Sequence, residues 1–211
     1  MGKYIAEFLG TGFLFCAVVG SGIMAENLST GDQALILLIN TIATFFALYF
    51  LITAFNSFSN HFNPIVSFVI YLDQKISLTT LIIFIFLQIS GAIAGVLAAN
   101  YMFGIENFEF SQKDRSGLNI LVAEAIASFG LVFFILISKK EKIAIVVASY
   151  IGSAYWFTSS TSFANPAGTI GRMFSDSFAG ISPENVMFFC IAEIIGGILA
   201  FVLYRLCFKT N

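Results

Sequence analysis

Two Asn-Pro dipeptides, Asn63-Pro64 and Asn165-Pro166, constrain the fold of this chain more than any other feature of the sequence. Asn is a preferred N-cap, and Pro at the first helical position loses only an amide hydrogen that has no intrahelical partner. Each dipeptide therefore predicts the start of a helix. The apolar sequences that follow, about 64–72 and 166–177, are too short to cross a bilayer. The sequence thus predicts two half-helices whose positive N-terminal ends lie near mid-membrane.

The rest of the chain has the composition of an integral membrane protein. Of its 211 residues, 58% are hydrophobic and 10% are charged, whereas a soluble domain carries about 25% charged residues. Runs of about 20 apolar residues each predict one helical crossing. The six predicted crossings are 4–24, 34–56, 77–100, 118–138, 142–160 and 185–207. Little sequence remains outside them, so we expect one membrane domain over residues 1–211.

The predicted elements repeat. Two crossings, a half-helix and one crossing occur twice, in repeats of about 1–103 and 117–211. The repeats also share residues, because Ala6-Glu7 corresponds to Ala123-Glu124 and Gln88 corresponds to Glu193. An odd number of crossings per repeat inverts the second repeat in the membrane. The two half-helices then enter from opposite faces, and we expect Asn63 and Asn165 to meet.

The distribution of Lys and Arg predicts the orientation. With a cytoplasmic N-terminus, seven basic residues lie inside and three lie outside: Lys3, Lys75, Lys139, Lys140, Lys142, Arg205 and Lys209, against Lys113, Arg115 and Arg172. The predicted outer connections are acidic, with Glu26, Asp32, Glu106 and Glu109. A multi-pass protein of the plasma (inner) membrane with both termini in the cytoplasm is therefore expected.

Three ionisable residues stand out from the apolar sequence. Glu7 and Glu124 lie in predicted crossings, where a carboxylate is costly and indicates a purpose. They could relay protons, or they could accept hydrogen bonds from the irregular backbone that leads into each half-helix. Their equivalent places in the two repeats favour the second role. His61, the single histidine, could sense pH or could tie the entering loop to a neighbour.

No enzyme signature is present. The sequence lacks Gly-x-Ser-x-Gly, a phosphate loop and a metal-binding histidine pair. We expect no catalysis, no cofactor and no metal. No basic patch indicates nucleic acid, and the three cysteines are interpreted as small buried hydrophobes. Small residues at helix-packing spacing, such as Gly91 and Gly95, are interpreted as structural.

Together these motifs resemble the aquaporin/glycerol-facilitator (major intrinsic protein) family. The resemblance rests on Ala6-Glu7-Phe8-Leu9-Gly10-Thr11, His61-Phe62-Asn63-Pro64, Gln88-Ile89-Ser90-Gly91-Ala92, Glu124 and Asn165-Pro166-Ala167. It implies an aquaporin-like right-handed bundle of six tilted helices and two half-helices, one pore per subunit and a homotetramer. It also implies that Asn63 and Asn165 hold a passing oxygen at mid-membrane, with Pro64, Ile65, Pro166 and Ala167 completing the two motifs.

The sequence departs from this family in two places. Ile65 stands where the first motif ends in Ala, which would add bulk where the half-helices abut and could shift their packing or narrow the pore locally. Gly168 stands where the family has its filter arginine. The family's spacing assigns the other filter positions to Ala43, Ser153 and Ser162, which predicts a wide filter.

Arg172 lies one helical turn after Gly168 and could reach back over the gap. Asp176, four residues further on, could instead hold it away. A bacterial branch associated with arsenic handling is similar here, with Asn-Pro-Ala-x-Thr-Ile-x-Arg. The resemblance therefore implies a passive channel for water, glycerol-like polyols or neutral metalloid hydroxides such as arsenite, which excludes protons and ions. A proton- or ion-coupled transporter and a non-conducting structural protein are the alternatives.

Overall fold

The computed structural model describes residues 1–105 and 109–209, so the predicted outer residue Glu106 lies outside the described residues. In this part of the chain the regular structure is helical. The α-helices are α1 (Gly2–Leu28), α2 (Gln33–Ala54), α3 (Pro64–Leu72), α4 (Leu78–Met102), α5 (Leu118–Ile137), α6 (Ile143–Phe157), α7 (Pro166–Arg172) and α8 (Pro183–Cys207). A single turn of 3₁₀-helix, Lys140–Lys142, precedes α6.

The helices follow the predicted order of crossings and half-helices. Five of them, α1, α2, α4, α5 and α8, are long and apolar enough to cross a membrane. The fifth crossing, α6, has 15 residues and is therefore about 22 Å long. It ends three residues before the predicted boundary at 160 because the chain becomes extended at Thr158. The predicted fold class is confirmed.

The second half-helix is shorter than predicted. It ends at Arg172 rather than at residue 177. Its last carbonyls are bonded at short range, because Phe174 N donates to Gly171 O at 3.1 Å and Ser175 N donates to Arg172 O at 3.3 Å. Such bonds close the final turn of a helix and satisfy the carbonyl groups that have no partner further along it.

Glycines allow the long helices to approach closely enough to enclose the half-helices. A Cβ at Gly95 of α4 would lie 2.0 Å from the carbonyl oxygen of Gly12 in α1. In the second repeat, a Cβ at Gly196 of α8 would lie 2.1 Å from the oxygen of Ala125 in α5. Close backbone contact through small residues is how helices associate in lipid. The structural interpretation of these small residues is confirmed, and α3 and α7 lie between the two helix pairs.

Candidate pore

The two Asn caps meet at the centre of the molecule. Asn63 Oδ1 accepts a hydrogen bond from Ile65 N at 3.0 Å, and Asn165 Oδ1 accepts one from Ala167 N at 3.1 Å. Their amide groups cross between the repeats: Asn63 Nδ2 donates to Ala164 O at 2.7 Å, and Asn165 Nδ2 donates to Phe62 O at 2.8 Å. Each half-helix is therefore held by the backbone that enters the other one.

The residues that provide these carbonyls have an unusual backbone. Phe62 and Ala164 have φ values of 49° and 48°, in the left-handed region that residues with a Cβ rarely adopt. Such a conformation costs on the order of 1–3 kcal/mol and persists only where its surroundings hold it. The equivalent strain in both repeats aims each carbonyl oxygen at the opposite Asn.

Buried carboxylates hold this strained backbone. Glu7 accepts hydrogen bonds from His61 N at 2.9 Å and Phe62 N at 2.8 Å. Glu124 accepts them from Phe163 N and Ala164 N, both at 2.8 Å. Both glutamates are fully buried and neither lines the central cavity. This geometry favours the bracing role over the proton relay.

A second residue supports each brace. Gln88 donates to Glu7 at 2.7 Å in the first repeat. In the second repeat Glu193 accepts hydrogen bonds from Asn165 N at 3.0 Å and from Thr169 Oγ1 at 2.8 Å. His61 Nδ1 lies 3.0 Å from Ser67 Oγ in α3, so the histidine ties its loop to the first half-helix.

A cavity of about 170 Å³ runs past the Asn pair. We call the end beside Arg172 the outer mouth, following the predicted orientation. Near the outer mouth the lining includes Phe15, Thr44, Tyr155, Ser162, Phe163 and Arg172. The opposite half is lined mainly by aliphatic side chains: Leu48, Ile52, Val66, Ile70, Leu131, Ile135, Ile143 and Val147.

Two of the predicted filter positions do not line this cavity. Thr44, not Ala43, faces it from α2, and its hydroxyl lies 3.1 Å from the hydroxyl of Tyr155. Ser153 is exposed on the outside of α6 and bonds to the oxygen of Ser149 at 2.9 Å. Ser162 does line the cavity. The predicted assignments at 43 and 153 were wrong in helical phase, by one and by two residues.

Gly168 is buried behind an aromatic ring. A Cβ at this position would lie 2.0 Å from Phe15 Cζ. The Phe15 ring therefore occupies the space that a side chain at 168 would take, and Phe15 itself lines the cavity. The prediction that small residues alone form the filter is wrong, because the rings of Phe15 and Tyr155 form part of the cavity wall. No motif in the sequence marks Phe15 or Tyr155 as a pore residue, and only their positions around their helices could have indicated it.

Ile65 does not narrow the pore. Its side chain is 2% exposed, is absent from the cavity lining, and packs with Val69, Val132 and Ala200. A Cβ at Gly197 in α8 would lie 2.3 Å from Ile65 Cγ1, so this glycine provides the space for the larger residue. The expected narrowing of the pore is therefore wrong, because Gly197 on α8 leaves room for the added volume.

Arg172 lies on the cavity wall rather than paired with Asp176. It is 3% exposed, and its guanidinium carbon lies 3.3 Å from the centre of the Phe163 ring. Its Nε donates to Ala179 O. Asp176 accepts instead from Gln112 N at 2.9 Å. Of the two alternatives for Arg172, pairing with Asp176 is contradicted, and the guanidinium lies on the cavity wall at the outer mouth.

Opposed half-helices that present paired amides to a cavity inside a bundle of apolar helices define a membrane channel. The family model described as "Major intrinsic protein" matches residues 1–159, and the chain belongs to this family of channels for water and small neutral solutes.

Individual relatives agree with this assignment. The chain is 44% identical over 207 residues to the aquaglyceroporin AqpS of Rhizobium meliloti, covering 96% of this chain and 88% of that one. It is 26% identical over 215 residues to the probable aquaporin TIP2-2 of Oryza sativa, covering 96% and 85%. The X-ray structure of the aquaglyceroporin from Plasmodium falciparum has the same fold, with a TM-score of 0.73, 21% identity and coverage of 98% and 96%.

Proposed function

We propose that this channel passes glycerol-like polyols and neutral metalloid hydroxides such as arsenite as well as water, and that it excludes protons and ions. The observation that carries the proposal is the bonding of Asn63 and Asn165. In each residue, Oδ1 caps its own half-helix and Nδ2 donates one hydrogen to the opposite backbone. Among the described residues, no acceptor takes the second hydrogen of either amide.

These two free N–H groups set the selectivity at the centre. They can donate to the oxygen of a hydroxyl group, and they repel a cation. A water molecule whose lone pairs accept from both Asn63 and Asn165 has no lone pair left for a proton from the next water. Donors that line a pore exclude protons and cations in this way.

The aliphatic half of the cavity strengthens the exclusion of ions. Side chains such as Leu48, Val66 and Leu131 offer no hydrogen bonds to replace the hydration shell of an ion. Removing a charge from water without such compensation costs many kcal/mol. A neutral solute pays a much smaller penalty in this half of the cavity.

The outer mouth favours solutes with an apolar side and a polar side. Phe15 and Tyr155 offer ring surfaces, while Ser162 and Arg172 offer polar groups. A polyol has C–H groups that can lie against the rings and hydroxyl groups that can bond to the polar wall. A neutral metalloid hydroxide presents a similar set of hydroxyl groups. The aquaglyceroporin names of two relatives also support the class.

We also propose the membrane location, the domain organisation and the oligomeric state of the chain. We place the chain in the plasma (inner) membrane of a bacterium with both termini in the cytoplasm, supported by the bias of Lys and Arg. We treat residues 1–211 as one channel domain built from two inverted repeats, and the repeated bonding of Glu7 and Glu124 supports that division. We also propose assembly as a homotetramer, which membership of the family supports.

The coupled-transporter alternative needs a carboxylate that exchanges protons with the lumen. Glu7 and Glu124 are instead buried behind the loops that they brace. No described carboxylate lines the cavity. The passive channel is therefore the better-supported mechanism.

Stopped-flow light scattering on proteoliposomes tests the proposal. Water, glycerol, urea and arsenous acid should each be compared with empty vesicles, and a pH-sensitive dye should report proton entry. Glycerol and arsenous acid flux above the background, without proton current, is the expected result. Flux no faster than in empty vesicles refutes the channel, and a proton current abolished by Glu124→Gln supports the transporter.

A further inference from the structure

Arg172 lines the outer mouth, and two further cationic side chains lie close to it. Arg172 comes from α7, and Lys113 and Arg115 come from the connection between α4 and α5. The guanidinium carbons of Arg172 and Arg115 lie 3.3 Å and 4.8 Å from the centre of the same ring, that of Phe163. Lys113 Nζ and Arg115 Nη2 donate to one oxygen, that of Phe178, at 2.8 Å and 3.0 Å. The three charges are therefore neighbours.

Backbone carbonyls, not carboxylates, hold these cations. The turn 178–180 supplies three consecutive acceptors: Phe178 O bonds Lys113 and Arg115, Ala179 O bonds Arg172, and Gly180 O bonds Arg115 at 2.7 Å. Carbonyl groups satisfy the donors without cancelling their charge. Within the described ranges, the ion pairs all involve Asp73 at the opposite end of the molecule.

Nearby acidic groups are engaged elsewhere. Glu26 accepts from Phe178 N at 2.8 Å and Asp176 accepts from Gln112 N. Glu124 is committed to Phe163 and Ala164, and Glu193 accepts from Asn165 N and Thr169 Oγ1. The pKa of Lys113 is about 8, because burial and the charge of Arg115 lower it more than Glu26 raises it, with smaller opposing effects from Arg172 and Asp176. Positive charge therefore dominates around Lys113.

Arg172 has donors left over. Its side chain is almost completely buried and faces the cavity, yet only Nε has an acceptor among the residues described here. Nη1 and Nη2 form the edge that binds a carboxylate through two parallel hydrogen bonds. Unused guanidinium donors beside two more cations that have no ion pair among the described residues form a site suited to an anion.

We propose that the outer mouth is a binding site for a small carboxylate, held by the free donors of Arg172 and attracted by the charges of Arg115 and Lys113. The site lies in line with the pore of the proposed function, and the proposal rests on that function only for its effect on flux. A bound carboxylate occupies the mouth and cannot pass the aliphatic half of the cavity. It therefore blocks neutral solutes.

Malonate is a suitable probe, because it is ionised and crosses lipid poorly at neutral pH, and malonamide is its uncharged analogue. In detergent, malonate should raise the thermal midpoint of the protein saturably, as a ligand that binds only the folded state does. Malonamide and sodium chloride at matched ionic strength should not. Lys113→Gln keeps a donor for Phe178 O but removes the charge, and should weaken the effect several-fold.

Two controls separate the site from general electrostatics. Lys139→Gln removes a lysine that is exposed at the opposite, cytoplasmic end, and it should respond like the unchanged protein. Because Lys113 carries its charge below its pKa of about 8, the malonate effect should decline as pH rises through that value in the unchanged protein. The Lys113→Gln variant should lack this decline. Equal stabilisation of both lysine variants, or equal stabilisation by chloride, overturns the proposal.

Flux gives an independent measurement. In proteoliposomes, saturating malonate should reduce glycerol flux by more than half in the unchanged protein and in Lys139→Gln, and by less in Lys113→Gln. A protein that is stabilised by malonate but carries no solute would retain the anion site and refute the channel. A conducting protein that malonate neither stabilises nor blocks would refute the anion site alone.

Discussion

The contact between Phe15 and Gly168 yields the sharpest test of the outer constriction. Replacement of Gly168 by Ala adds one methyl group at a point 2.0 Å from Phe15 Cζ and 2.1 Å from Phe15 Cε1. Carbon atoms in ordinary contact are about 3.5–4.0 Å apart. The Phe15 ring must therefore move by more than 1 Å, and the cavity wall must move with it.

The magnitude follows from the cost of overpacking a buried site. Inserting a methyl group into a well-packed core costs about 1–3 kcal/mol. For a chain of this length that cost corresponds to a fall of about 2–12 °C in the thermal midpoint. Gly168→Arg is much bulkier and should prevent folding as a single change. The family's arginine can be accommodated at 168 only if the ring is removed as well.

A double-mutant cycle measures this coupling. Gly168→Ala, Phe15→Leu and the combination should be compared by thermal unfolding in detergent, and by glycerol and water flux per folded channel. We expect Phe15→Leu to reduce the penalty of Gly168→Ala, which is an interaction energy of about 0.5–3 kcal/mol. Strictly additive effects, or a Gly168→Ala protein as stable as the original, would refute the assignment of Phe15 to this wall.

Three further changes test other parts of the structure. Ile65→Ala should cost about 2–5 kcal/mol of stability without altering glycerol flux per folded channel. Adding Gly197→Ala to that variant should partly restore its stability. Altered solute selectivity in Ile65→Ala would place Ile65 in the pore. Glu124→Ala leaves two buried amides unbonded and should lower the free energy of unfolding by about 2–6 kcal/mol, whereas Glu124→Gln keeps an acceptor and should cost less. Equal thermal midpoints for these two variants would contradict the bracing role. Burial alone would raise the pKa of Asp73, but the hydrogen bonds and positive charges of Lys209 and Lys75 outweigh burial and lower this pKa below its ordinary value. Its small stabilising effect should therefore be present near neutral pH, should fade below about pH 4, and should be absent from Asp73→Asn in a pH series of thermal midpoints.

The elements and the centre of the site follow directly from local sequence rules. An Asn N-cap followed by Pro predicts a helix start wherever it occurs, and both half-helices begin at those residues. A carboxylate inside a membrane crossing must find donors, and the irregular loops beside the half-helices supply them to Glu7 and Glu124. The first rule acts over a few residues, and the second follows from the cost of leaving a polar group unbonded inside the membrane. Neither rule depends on the rotation of a long helix.

The walls of the outer mouth could not be predicted in the same way. The residues that α6 presents to the cavity depend on its rotation, and a shift of two residues turns a side chain by about 200°. Between α6 and the second motif, Thr161 and Ser162 have positive φ values of 63° and 52°. The number of residues in this irregular segment therefore does not predict where its side chains lie. Phe15 and Gly197 act through contacts with distant residues, which no single-sequence pattern contains.

The crossed bonds between the two Asn side chains and the opposite loops have a consequence for biogenesis. Asn63 needs the oxygen of Ala164, which is synthesised about a hundred residues later. A nascent chain that has inserted only its first half therefore has no acceptor for that amide and no closed lumen. The conducting path can form only when both halves are in the membrane, so the bilayer stays sealed while the protein is being made.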